Sequence, residues 1–115
     1  MWKLALTFVL TAMMTLCADI SGTWRMEVQT DQGSGTPTFV LKQDGEKLSG
    51  TYSGAFGKAD ARGTVTGDEV VIEFDADFGG QKGAVRYAGK LDGDSKMTGK
   101  VTLGEYSGTF TGSKK

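Results

Sequence analysis

Apolar and polar residues alternate one by one through most of this chain, in short runs that glycine-containing turns separate. Side chains of a β-strand point alternately to its two faces, so this alternation predicts strands with one apolar and one polar face. No stretch has the 3.6-residue apolar spacing of a helix. The sequence therefore predicts an all-β fold of eight strands, at about 22–30, 38–43, 47–54, 60–66, 69–75, 84–91, 95–102 and 105–111.

The connections between these runs indicate how the strands are joined. Four are short enough for hairpins between antiparallel neighbours, namely DGE at 44–46, GDE at 67–69, DGD at 92–94 and LGE at 103–105. Longer connections are expected at 31–37, 55–60 and 76–83. Strands joined in this way, all apolar on the same side, predict an eight-stranded antiparallel up-and-down β-barrel with an apolar interior. An outer-membrane barrel needs the reverse arrangement, so we expect a soluble barrel.

The phase of the alternation assigns side chains to the interior of this barrel. Charged residues such as Arg25, Glu73 and Lys100 fall on the outer face. The predicted inner face consists of Trp24, Met26, Val28, Phe39, Leu41, Leu48, Tyr52, Ala61, Val65, Val70, Ile72, Phe74, Val85, Tyr87, Leu91, Met97, Val101, Tyr106 and Phe110.

One short motif occurs three times, as SGTW at 21–24, SGTY at 49–52 and SGTF at 107–110. In each copy a glycine stands two residues before an aromatic residue, on the inner face. Glycine at such positions lets a barrel strand bend and leaves room for a neighbouring ring. A second interpretation is that the glycines leave empty space for a ligand cavity inside the barrel. The bending role and the cavity role are compatible with each other. The inward glycines are Gly22, Gly50, Gly63, Gly89, Gly99 and Gly108.

The first 18 residues have the layout of a secretory signal peptide. Lys3 is followed by an uncharged run from Leu4 to Leu16, and Ala18 provides a small residue for cleavage. We expect residues 1–18 to be removed and residues 19–115 to form a single extracytoplasmic domain, secreted or periplasmic, with no membrane span in the mature form. A retained anchor and lipidation at Cys17 are the alternatives; the run is short for an anchor, and Leu16 is large for a lipidation signal.

Composition limits the chemistry of the mature chain. The sequence contains no histidine, and its one cysteine leaves with the signal peptide. Thiolate nucleophiles, disulfides and thiolate metal sites are thereby excluded, and no cofactor or metal is expected. Asp75 and Asp77 have the spacing that opens a calcium loop, but Arg86 stands where such a loop needs a glutamate. Basic and acidic residues, 13 and 14, are not clustered, which argues against nucleic acid as a partner.

The first half of the chain resembles the avidin and streptavidin family of eight-stranded barrels. The likeness is in SGTW and in KLSGTYSGAFGKA at 47–59; it is best from about residue 20 to 67. Trp24 and Tyr52 match the family's first-strand tryptophan and third-strand tyrosine. Met26 and Gly54 stand where the family has a hydrogen-bonding Asn and Ser, and the mature chain has no second tryptophan. The resemblance thus implies the barrel without an intact biotin site.

Two functions follow as hypotheses. The first is a non-catalytic binding protein that takes a small apolar ligand at the barrel mouth, between the connections 31–37 and 55–60. Its candidate ligand-binding residues are Trp24, Tyr52, Tyr87 and Phe110. The alternative is a filled barrel that acts as a protein-protein interaction module, accessory to an extracytoplasmic protein. A homo-oligomer is compatible with both. A hydrolase is disfavoured because the mature chain lacks an obvious general base.

Overall fold

The computed structural model describes residues 19–31, 33–77, 80 and 82–115. The predicted signal peptide, 1–18, lies outside the described residues. All regular structure in the described part is β-sheet, and no helix there is long and apolar enough to cross a membrane. The strands are β1 Gly22–Thr30, β2 Gly33–Gly35, β3 Thr38–Asp44, β4 Lys47–Gly54, β5 Gly57–Thr66, β6 Glu69–Asp77, β7 Lys82–Asp92, β8 Lys96–Leu103 and β9 Tyr106–Lys114.

The strands form one closed antiparallel barrel. Each strand from β3 to β8 pairs with the next, and β1 closes the sheet by pairing with β3 on one side and β9 on the other. The short β2 also pairs with β1, in the same register as β3, as the pairs Val28↔Gly35 and Gly22↔Leu41 show. β2 and β3 are therefore one strand interrupted at 36–37. The predicted eight-stranded up-and-down barrel is confirmed.

The interruption between β2 and β3 coincides with the only proline of the chain. Proline has no backbone N–H to give to a ladder. The carbonyl of Pro37 nevertheless accepts a hydrogen bond from the backbone N–H of Met26, at 2.9 Å, which keeps the two pieces in one register. The predicted long connection at 31–37 was therefore wrong in part, because three of its seven residues, Gly33–Gly35, form a strand that pairs with β1.

Two other connections are shorter than the sequence predicted. β4 and β5 pair up to Gly54↔Gly57, which leaves a turn of two residues, and β6 and β7 pair up to Asp77↔Lys82. The added strand residues are mostly glycine, alanine and charged residues. These residue types have low β-propensity and do not alternate clearly between apolar and polar. The alternation therefore did not indicate the full length of these strands.

The barrel has a mouth end and a plug end. The turns after β1, β4 and β8 lie at the mouth end, while the turns after β3, β5 and β7 lie at the plug end. Ile20 is fully buried at the plug end, where its carbonyl accepts a 2.9 Å hydrogen bond from Nε1 of Trp24. Its backbone N–H donates to Oε1 of Gln43, at 2.8 Å. The segment 19–21 therefore covers this end of the barrel.

The interior agrees with the predicted inner face, with one clear correction. Tyr106 was predicted to point inward, but 53% of it is exposed. It pairs with Leu103 next to the β8–β9 turn, whereas β9 meets β1 only from Gly108 onward. Tyr106 thus lies on a hairpin tip that projects beyond the closed part of the barrel. Val28 and Leu91 are only partly buried.

Five of the six inward glycines lie where two strands approach closely, namely Gly50, Gly63, Gly89, Gly99 and Gly108, whereas a Cβ at Gly22 would meet only the side chain of Lys114. A Cβ at Gly50 would overlap the carbonyl oxygen of Val40, and one at Gly108 would overlap that of Gln29. A Cβ at Gly89 would come within 2.9 Å of Cζ of Phe110. The glycines therefore admit a neighbouring backbone or ring, as the barrel-bending interpretation requires.

Candidate functional site

A cavity of about 480 Å³ lies at the mouth end of the barrel. Its volume falls in the range of about 300–1,000 Å³ that is usual for small-molecule sites. One side is formed by the β1–β2 hairpin and the stretch up to Pro37, and another by the β4–β5 turn. The lining residues are Val28, Thr30, Gly33, Ser34, Gly35, Thr36, Pro37, Tyr52, Gly54, Ala55, Phe56, Tyr87 and Leu103.

Aromatic side chains fill the barrel beneath this cavity. The rings of Tyr52 and Phe74 stack with their centroids 4.0 Å apart and 17° between their planes. Phe39 contacts both tyrosines of the cavity, at 5.5 Å from Tyr52 and 5.1 Å from Tyr87. Edge-to-face and offset contacts of this kind are favourable arrangements of aromatic rings. The interior is therefore packed below the mouth, and the two tyrosines belong to the floor of the cavity.

The Tyr87 side chain is almost completely buried, at 4% exposure. Its hydroxyl has no hydrogen-bond partner among the described residues. No enclosed side-chain nitrogen or oxygen of the described residues lacks a partner, so this hydroxyl is reached by solvent. Because Tyr87 lines the cavity, that access runs through the mouth. The cavity floor thus presents a free phenolic O–H.

Tyr52 presents a second phenol to the same cavity. Its hydroxyl oxygen accepts a long hydrogen bond, 3.5 Å, from the backbone N–H of Phe56. The ring of Phe56 lies 6.4 Å from that of Tyr52. At 3.5 Å a hydrogen bond is weak, and it uses the oxygen's lone pair rather than its proton. Tyr52 therefore keeps its capacity to donate.

Burial raises the pKa of both phenols above the usual value for tyrosine. For Tyr52 this effect is offset in part by the backbone N–H groups of Phe56 and Ala55. For Tyr87 burial is the main cause, and repulsion by Tyr52 adds to it. Loss of a proton would leave a charge in a poorly hydrated place. Both groups therefore remain neutral hydrogen-bond donors in neutral solution.

None of the described residues that line the cavity carries a charged side chain. The polar groups are hydroxyls and the backbone of 33–37, and the rest of the surface is apolar. A charged ligand would lose its hydration here without gaining a counter-charge, which is strongly unfavourable. The arrangement therefore suits an uncharged molecule.

The four sequence-predicted site residues occupy different levels of the barrel. Tyr52 and Tyr87 line the cavity. Phe110 packs against the ring of Tyr87, 5.0 Å between centroids, and lies outside the lining. Trp24 is fully buried at the plug end, where it bonds to Ile20. Ligand binding by any of the four stays a prediction.

The other lining residues were not named individually from the sequence, although seven of them lie in the connections 31–37 and 55–60 that were expected to flank the mouth. Val28 was assigned to the inner face, Leu103 to the turn at 103–105, and Phe56 to the connection at 55–60. Phe56 nevertheless lies within the connection 55–60, which was expected to flank the mouth, and the two-residue turn between β4 and β5 places it there.

The aspartates considered for calcium have other contacts. Oδ1 of Asp75 lies 3.7 Å from a guanidinium nitrogen of Arg62. Oδ1 of Asp77 accepts a 2.8 Å hydrogen bond from the backbone N–H of Gly80. Within the described ranges, no group of three or more histidine, cysteine, aspartate or glutamate side chains is placed to hold a metal ion.

Comparison with models of protein families and with curated proteins finds no match to this sequence. Among solved structures the chain is similar to a redesigned β-barrel, mFAP1, bound to DFHBI, with 15% identity and a TM-score of 0.60 over 84% of this chain and 94% of that chain. It is also similar to EF1p2_mFAP2b bound to DFHBI, with 11% identity and a TM-score of 0.58 over 84% and 93%. At these identities the likeness shows a shared fold, an eight-stranded β-barrel.

Proposed function

We propose that this protein is a non-catalytic binding protein that takes a small apolar ligand in the mouth of its barrel. The observation that carries the proposal is the cavity of about 480 Å³, whose floor contains two buried tyrosines and whose described lining is uncharged. The similar barrels solved with DFHBI support it, since they show that barrels of this fold accommodate a ligand.

The non-catalytic part of the proposal rests on the chemistry of the lining. The only titratable groups among the described lining residues are the phenols of Tyr52 and Tyr87, and their raised pKa values make them weak acids. General base catalysis at neutral pH works best with a group whose pKa lies near that pH. Hydroxyls and phenols without a neighbouring base position a ligand rather than transform it.

Biotin is not the ligand that we propose, although the motifs of the first half of the chain resemble those of the avidin family. Met26 is fully buried in the core. A Cβ at Gly54 would lie 2.6 Å from the hydroxyl oxygen of Tyr52, so the serine of that family does not fit here without rearrangement. A buried ureido group left without these partners loses about 1–3 kcal/mol for each missing hydrogen bond.

We further propose that the protein acts outside the cytoplasm after cleavage behind Ala18. A cut at this place retains Ile20, which the closed end of the barrel requires. The mass of the exported protein tests the proposal, because processing at this site yields a chain that begins with Asp19. An exported chain that begins with Met1 would refute it.

Binding of a neutral apolar fluorophore, N-phenyl-1-naphthylamine, tests the proposed function. Val28 lines the cavity, whereas Val40 lies on the outer face and is 50% exposed. Val28→Phe should weaken binding at least about tenfold because the larger ring occupies ligand space. The matched control Val40→Phe should leave the affinity unchanged, and biotin should not displace the fluorophore. Equal affinities for the two variants, or no saturable binding, would contradict the proposal.

The interaction-module alternative is tested at Val40, which is 50% exposed on the outer surface of the barrel. A depression across β3, β4 and β5 is lined by Val40, Thr51, Tyr52, Ser53, Lys58, Ala59 and Asp60. A single exposed valine is ordinary on a protein surface, so this depression is the place to test for a contact and is not evidence of one. If Val40→Phe or Val40→Asp disrupts a complex isolated from the native source while the fluorophore fails to bind, the alternative is the better description.

A further inference from the structure

The hydroxyl of Tyr87 needs a partner when a ligand enters the cavity. It has none among the described residues, and solvent reaches it through the mouth. An apolar ligand that displaced this water would leave the O–H group buried and unpaired, which is unfavourable. A ligand that brings an acceptor to the same place avoids this cost.

The hydroxyl of Tyr52 belongs to the same arrangement. Both tyrosine rings contact Phe39 and Phe74, with centroid distances from Phe74 of 4.0 Å for Tyr52 and 6.4 Å for Tyr87. Both line the one cavity. The long bond from Phe56 occupies only the oxygen of Tyr52. Two O–H donors therefore reach the cavity from one aromatic cluster, whereas neither has an acceptor within the described protein.

The remaining wall offers apolar contact. Val28, Pro37, Phe56 and Leu103 line the cavity, and the described lining has no charged group. We propose, on the basis of the proposed function, that the ligand is an uncharged molecule with a hydrogen-bond acceptor such as a carbonyl oxygen. The acceptor bonds to the hydroxyls of Tyr87 and Tyr52, and the apolar body of the ligand packs against the wall near Phe56 and Leu103.

A pair of probes of equal shape tests this inference. 2-Acetylnaphthalene has a carbonyl oxygen where 2-isopropenylnaphthalene has a methylene group. Their dissociation constants are measured by displacement of N-phenyl-1-naphthylamine from the wild-type protein. We expect the ketone to bind about tenfold more tightly, the effect of one hydrogen bond in a poorly hydrated site. The anion 2-naphthoate should bind more weakly than either.

Tyr87→Phe removes only the hydroxyl, and Tyr106→Phe is the matched control, because Tyr106 is 53% exposed and lies outside the described lining. The dissociation constant of 2-isopropenylnaphthalene divided by that of 2-acetylnaphthalene should fall to about 2 or less in Tyr87→Phe and stay at about ten in the control. The melting temperature of Tyr87→Phe should stay close to that of the wild type, since this hydroxyl makes no hydrogen bond to the described protein.

The outcomes separate this inference from the proposed function. Equal binding of ketone and hydrocarbon to the wild type, or a ratio that survives Tyr87→Phe, overturns the inference and leaves the binding function intact. A variant that melts earlier and loses both probes equally acts through packing, which also overturns it. Failure of both probes to bind the wild type removes the proposed function and the inference together.

Discussion

Gly50 shows how a single missing side chain shapes this barrel. It pairs with Leu41 on one side and Ala61 on the other, and its Cα faces the interior. A Cβ at this position would overlap the carbonyl oxygen of Val40 on the adjacent strand. Gly63 has the same relation to Val71. Strands can bend sharply at such places because the backbones approach each other without an intervening methyl group.

Gly50→Ala should therefore destabilise the protein, whereas Gly35→Ala should not. The alanine methyl at position 50 forces the strands apart, at a cost of about 3 kcal/mol. At Gly35 nothing lies within 4 Å of a new Cβ, and a change within about 0.5 kcal/mol is expected. Thermal unfolding followed by circular dichroism should show Gly50→Ala melting at least about 12 °C lower. Similar melting temperatures for the two variants would refute the bending role of Gly50.

At the scale of the strands, the alternation predicted on which face of the sheet a side chain lies, but it did not predict the position of that side chain along the barrel axis. It placed Trp24, Tyr52 and Tyr87 inside the barrel, and all three are buried. The alternation of apolar and polar residues does not indicate how far along the barrel axis a residue lies. That depends on register, which puts Trp24 opposite Lys114 near the chain end and Tyr52 opposite Ala59 near the mouth. The sequence therefore placed Trp24 in one ligand site with Tyr52 and Tyr87, whereas in the structure Trp24 lies at the opposite end of the barrel.

The ends of the strands were predictable only where large or β-branched residues mark them. The predicted bounds of the first and third runs, 22–30 and 47–54, agree with β1 and β4. The start of β5 was not predicted because the glycine and alanine residues of 55–60 give no clear strand pattern. Tyr106 was assigned to the wrong face because the alternation continues into a hairpin tip that lies beyond the closed part of the barrel. The connection 55–60 was expected at the mouth, but Phe56 itself was not named, because the exact place of a turn depends on the pairing of its strands.

At the scale of the whole molecule, the two ends of the barrel have different constructions. The plug end is covered by 19–21, with Ile20 fully buried and bonded to Gln43 and Trp24. The mouth end carries the β1–β2 hairpin and the β4–β5 turn, which surround the cavity. The packed aromatic cluster between them supplies much of the core. A ligand can therefore occupy the mouth without the core having to rearrange.

The three tyrosines of the chain allow this central claim to be tested directly. Protein labelled with 3-fluorotyrosine should give one fluorine resonance for each of Tyr52, Tyr87 and Tyr106, assigned from the single Tyr→Phe variants. Addition of 2-acetylnaphthalene should shift the first two in a saturable manner, because both line the cavity. The resonance of the exposed Tyr106 should stay in place. A shift of Tyr106 alone, or no shift at saturating probe, would contradict ligand binding at the mouth.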